Sequence, residues 1–189
     1  MQPSTPDADL AVTMTLEAFA DTILPGEKRS PDDRSVAGVS AGGGAVASGA
    51  VDVLRTPEGG MAPALDGLAE ALNGHARRYA QEHRLTPDAD VPPFVALAYP
   101  DRVALVQELT AVDHPEREAW VSLAMFSTIA FDAAAHLHTT DALAAGHPGL
   151  ATLGYYPPDR DGIWRFPEYS YGRVLARPHP DTTPSGSPA

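Results

Sequence analysis

Thr128, Asp132 and His136 follow one another at four-residue intervals, and His138 and Asp141 come directly after them. On a helix that spacing places the first three side chains on one face. A carboxylate and imidazoles converging there can serve as acid and base or hold a divalent metal. The competing explanation is an ion pair in a polar seam of a helical bundle, or histidine placed where a helix carboxy terminus favours its charge. Neither H-E-x-x-H nor the paired E-x-x-H of di-iron bundles occurs in the chain, so no metal site is expected. Asp132, His136 and His138 therefore form the alternative site of a chain whose leading expectation is no catalysis of its own. His75, His83, His114, His147 and His179 are scattered and read as structural.

Other chemistries find less support. Gly42-x-Gly44-x-x-Ala47 matches a relaxed dinucleotide fingerprint. However, the preceding KRSPDDRSVAG is no hydrophobic strand, and later strands are missing. A loop leading into a small-residue helix, about Ala41 to Leu54, explains the glycines better, because Ala45, Gly49 and Val53 at four-residue steps admit a close backbone. The sequence holds no G-x-S-x-G elbow and no phosphate-binding loop. With no cysteine, thiol nucleophiles, disulfides and iron–sulfur clusters drop out together. No cofactor bound by this chain is expected. The 13 basic and 25 acidic residues leave a charge of −12, which repels phosphate backbones and anionic lipid and argues against nucleic acid as a partner.

The elements that must position these residues are helices. From Thr13 to Leu24, Leu16, Phe19, Ala20 and Ile23 make one apolar stripe, and Pro25-Gly26 supplies a stop. Residues 61–83 carry Met61, Leu65, Leu68, Leu72, Ala76 and Tyr79 at three- and four-residue intervals, the most regular pattern in the chain. Pro100 and Pro115 each open a further helix. The first runs from about Asp101 to Ala111. The second, residues 116–138, is apolar on nearly every side from Trp120 to Ala135 and is expected at the centre of its bundle. That window is too short, and carries Asp132, so it does not read as a membrane span.

With 189 residues, 43% of them hydrophobic, the chain can bury a core without metal or disulfide. Its 19 prolines, about twice the usual share of roughly 5%, punctuate short helices with long turns. The expected fold is all-α, an irregular helical bundle around the helix at 116–138, with no run of alternating β-branched residues to found a sheet. Residues 1–12 are expected to be a flexible amino terminus, 13–175 one helical domain, and 176–189 a disordered Pro-rich tail. Residues 146–175 lack both helical and strand periods and read as an aromatic wrap. Tyr155, Tyr156, Trp164, Phe166, Tyr169 and Tyr171 are six of the chain's 13 Phe, Trp and Tyr. Such residues either cover their own bundle or form an interface, where Tyr and Trp are typical hot spots. The amino terminus shows no basic, apolar or twin-arginine signal pattern, so a cytoplasmic location is expected.

Thr15-Leu16-Glu17-Ala18-Phe19-Ala20-Asp21-Thr22-Ile23-Leu24-Pro25-Gly26 resembles the opening helix of the gluconate 2-dehydrogenase subunit 3 family, with its phrase L-x-x-x-A-D-x-I-[IL]-P-G. A Gly- and Ala-rich helix, a Leu-patterned helix, a helix near Asp101 and a late Gly154-Tyr155-Tyr156 follow in the same order. The resemblance implies a small helical subunit without catalytic residues. Its partner would be a large flavoprotein of the glucose-methanol-choline type that carries the FAD, and insertion into a membrane is not implied. The missing twin-arginine signal departs from many members and points to a cytoplasmic partner, such as a biosynthetic flavoprotein.

Overall fold

A computed structural model describes residues 6–155, and these are helical, with no strand among them. Helix α1, Pro6–Ile23, begins in the stretch expected to be flexible, with Asp7 and Asp9 in its first turn, where carboxylates favour the helix dipole. Its carboxy-terminal half is the real centre of the bundle. Thr15, Leu16, Ala18, Phe19, Ala20 and Asp21 are all buried to 1% exposure or less, and α1 packs against each of the next four helices along the chain. The buried threonines are satisfied locally: the Thr15 and Thr22 hydroxyls donate to Ala11 O and Ala18 O, four residues back.

After α1 the chain turns through Pro25-Gly26 into a long loop, and α2, Ala50–Arg55, is shorter than the helix expected from Ala41. Gly42 and Gly49 adopt φ of 83° and 87°, which interrupts any helix through the glycine-rich segment. The close backbone approach, expected along Ala45, Gly49 and Val53, occurs instead at Gly44: a Cβ there would stand 2.5 Å from Gly26 N, Leu24 O and the Pro25 carbonyl carbon. Two backbone hydrogen bonds, Ala45 N–H to Leu24 O and Glu27 N–H to Gly42 O, sew the loop to the end of α1.

Helix α3, Leu65–Glu82, buries Leu65, Leu72, Ala76 and Tyr79 of the predicted stripe, preceded by two 3-10 turns at Pro57–Gly59 and Ala62–Ala64. Helix α4, Tyr99–Leu109, starts at Pro100 in its first turn. Phe19, Phe94 and Trp120 meet at the heart of the main core, with ring centroids 6.3–6.4 Å apart along Phe19.

The long apolar helix needs correction. Helix α5 spans Arg117–Ala133, not 116–138, and it buries one face through Trp120, Leu123, Ser127 and Ala130 while Met125 is exposed. It packs against α1, α2 and α4, but it is amphipathic in use. Ala134 takes φ 48°, a left-handed cap that ends the helix without a glycine. Two short helices follow, α6 (Thr139–Ala144) and α7 (Pro148–Thr152), the latter capped by the His147 ring accepting Leu150 N–H. Gly149 lets α7 lie on the Phe131 backbone of α5, with no room there for a Cβ. Thus the first ten residues of the segment 146–175 contain a helix; the remainder of that aromatic segment, and the tail 176–189, lie outside the described residues.

Candidate functional site

Because α5 stops at Ala133, the helical face that would carry Thr128, Asp132 and His136 together does not reach the histidine. Asp132 is exposed on the last turn. His138 is exposed as well, its Nδ1 2.7 Å from the Thr140 hydroxyl. Asp132 is joined to neither histidine by an ion pair. His136 instead turns back towards the loop before α2, against Gly49, and its ring centroid lies 6.3 Å from that of His147.

The neighbours of His136 explain its state. His147 is buried; its Nε2–H donates to Ser48 O at 3.1 Å while Nδ1 accepts Leu150 N–H at 3.3 Å, so both nitrogens of a neutral ring are used. The His136 Nδ1 and the Ser48 hydroxyl are buried without a partner. Burial holds the His136 pKa below the usual imidazole value, Asp52 opposes the shift, and His147 adds to it. A base whose pKa is lowered by folding binds fewer protons in the folded state, so stability is full above pH about 6.5 and declines as pH falls below it. His136→Gln removes that titration. The stability gap between wild type and variant should narrow between about pH 7.5 and about pH 5; melting temperatures that fall in parallel would refute the assignment.

A second constellation was not foreseen. A cleft of about 400 Å³ opens between α3, α4 and the loop before α5, lined by His75, Arg78, Tyr79 and Glu82 from α3, Glu108 from α4, and His114 and Glu116 from the loop. His75 sits between unlike charges: Nε2 is 2.7 Å from Glu116 Oε2, and Nδ1 is 2.7 Å from an Arg78 nitrogen. Arginine only donates and a carboxylate only accepts, so the neutral ring with its proton on Nε2 satisfies both. Glu116 also accepts the Trp120 indole N–H at 3.2 Å, and its own N–H donates to His114 Nδ1 at 3.2 Å. The His75 and Trp120 hydrogen bonds hold the Glu116 carboxyl below the usual range, His75 contributing most and partial desolvation opposing it. Tyr79 donates to Asp101 at 3.3 Å, and burial together with that carboxylate pushes its phenol up.

Sequence reasoning treated His75 and His114 as isolated because His75 and its partner Glu116 are 41 positions apart. The one local clue is His114-Pro115-Glu116, a histidine and a carboxylate two residues apart on a short loop; Pro115, expected to open the helix, instead precedes the N-cap Glu116, and α5 starts at Arg117.

Among the aromatic positions, Tyr155 is about half exposed, whereas Tyr156, Trp164, Phe166, Tyr169 and Tyr171 lie outside the described residues. No described helix is long and apolar enough to cross a membrane.

These features define an all-α domain with a histidine-bearing polar cleft. The chain belongs to a family described as a family of unknown function (DUF5987), whose model matches residues 10–189. No curated protein and no solved structure matches it.

Proposed function

We propose that the chain is a non-catalytic accessory subunit that docks on a larger FAD-dependent oxidoreductase of the glucose-methanol-choline type and stabilises or completes it. The supporting observation is what the opening phrase does in the fold. Asp21 is buried, and its two oxygens accept the N–H groups of Gly26 at 3.1 Å and Ala37 at 2.8 Å. Gly26 packs backbone to backbone on Gly44. Burial pushes the Asp21 carboxyl up, and the two N–H groups work against that shift. Asp21 and Gly26 thus shape a loop, and the gap beside them is too narrow to admit a water molecule. A scaffold role fits a subunit that leaves the chemistry to its partner.

In this reading the FAD belongs to the large subunit, and Tyr155 together with Tyr156, Trp164, Phe166, Tyr169 and Tyr171 supplies the contact area. Co-expression with the flavoprotein encoded beside it tests the proposal. The expected result is a complex that survives purification, with flavin content and turnover of the large subunit reduced when this chain is omitted. Trp164→Ala together with Tyr169→Ala should weaken the complex by at least about thirtyfold, since a single aromatic hot spot contributes about 2 kcal/mol or more. Two proteins that purify apart, with flavin loading and turnover unchanged, would overturn it.

A further inference from the structure

We propose that His75, His114 and Glu116 form a binding site for one divalent cation of the zinc class. The inference departs from the absence of metal motifs in the sequence, and it stands whether or not the chain is an accessory subunit. One ligand atom from each of the three residues lies within 4.8 Å of the other two. Four-coordinate zinc, with bonds of about 2.0–2.1 Å, holds its ligand atoms about 3.3 Å apart. Rotation of the Glu116 side chain, 49% exposed on the loop before α5 that also carries His114, can close part of the difference.

The donor set selects the metal. Two imidazoles and one carboxylate suit zinc, cobalt or nickel and not magnesium or calcium, which take oxygen ligands. Three protein ligands leave a fourth position, and it opens into the cleft, where a water can occupy it. The Trp120 indole N–H on Glu116 acts as an outer contact that orients a ligating carboxylate. Glu82 and Glu108 line the same cleft and leave carboxylate charge in excess over Arg78, which favours a dication.

Arg78 is the competitor. With the metal on Nε2, the His75 proton moves to Nδ1, which can no longer accept from Arg78. Arg78 then turns to Glu82, four residues on along α3 and on the same side of the helix. Binding exchanges the His75–Glu116 hydrogen bond, together with the Glu116 N–H bond to His114 Nδ1, for bonds to the ion and ties α3 to the loop before α5.

The test is titration of the full chain with Zn²⁺ by calorimetry and with Co²⁺ by visible absorption. The expected result is one ion per chain, the intense absorption of a four-coordinate cobalt centre, and a melting temperature raised by the metal. His114→Ala and Glu116→Gln, both on the partly open loop, should each abolish the four-coordinate spectrum and weaken binding at least about tenfold. His83→Ala should change nothing, because His83 stacks on Tyr79 outside the set. Arg78→Ala should bind about tenfold tighter, since a nearby positive charge is removed. That gain distinguishes a built site from chance binding by surface histidines. A weak six-coordinate cobalt spectrum, binding untouched by His114→Ala and Glu116→Gln, or no binding at all would overturn the proposal.

Discussion

Arg102→Met is expected to lower stability by about 3–5 kcal/mol, the cost of removing one member of a buried charged network. Arg102 is 4% exposed on α4, and its guanidinium donates to four carbonyls: Val95 at 2.6 Å, Ser35 at 2.7 Å, Leu97 at 3.0 Å and Arg34 at 3.3 Å. Those acceptors belong to two loops, one after α1 and one before α4, which are joined otherwise by the exposed Arg34–Asp88 ion pair at 2.6 Å. Burial lowers the Arg102 pKa while Asp21 and Asp33 raise it, so the cation is held by carboxylates nearby as well as by carbonyl dipoles. Methionine fills much of the volume but returns none of the donors, and it leaves Asp21 buried without its nearest compensating charge. Arg102→Lys keeps the charge and loses the planar fork, so it should fall between the two. Urea denaturation of the full chain reads the effect as a midpoint lowered by about 2 M for the Met variant. A loss below about 1 kcal/mol would mean that the loops hold their positions without the arginine.

Periodic burial was legible in the sequence, whereas partners brought together from separate segments were not. The stripes at Leu16–Ile23 and Met61–Tyr79 announced α1 and α3, since a face buried on a helix must recur every three to four residues. The centre of the bundle was misplaced, because α1 buries polar residues. Thr15, Asp21 and Thr22 break the apolar pattern, yet the two threonines bond to carbonyls four residues back on their own helix, and Asp21 accepts N–H groups of the following loop, from Gly26 and Ala37. Residues 120–135 looked greasier and attracted the central role, but α5 ends early at Ala134, whose positive φ has no signature in an alanine. The Asp132–His136 spacing lost its meaning with that turn. In its place, the fold gathers His75, His114 and Glu116 from two separate elements, an assembly no local spacing encodes. The glycine-rich segment does admit a close backbone, but at Gly44 in a loop and not along Ala45, Gly49 and Val53 of a helix, because Gly42 and Gly49 at positive φ keep the helix from starting before Ala50.

Replacing three glycines one at a time by alanine should give three different outcomes, and the order is the prediction. At Gly44 the new Cβ meets Leu24 O, the Pro25 carbonyl carbon and Gly26 N at 2.5 Å, all backbone atoms that cannot rotate away. The loop must lift off the end of α1, straining the Ala45 to Leu24 hydrogen bond and the Asp21 anchor, at a cost of about 3 kcal/mol or more. Gly42 lies two residues earlier in the same loop, with φ 83° and open space around it, so alanine there meets only backbone strain, about 1–2 kcal/mol. Gly67 sits in the first turns of α3, exposed and with nothing near its missing Cβ, and alanine should stabilise by about 0.5–1 kcal/mol through helix propensity. Thermal melts of the three variants rank them directly. If Gly44→Ala costs no more than Gly42→Ala, the glycine-rich loop does not lie on the Pro25-Gly26 turn, and the opening phrase has some role other than the scaffold assigned to it.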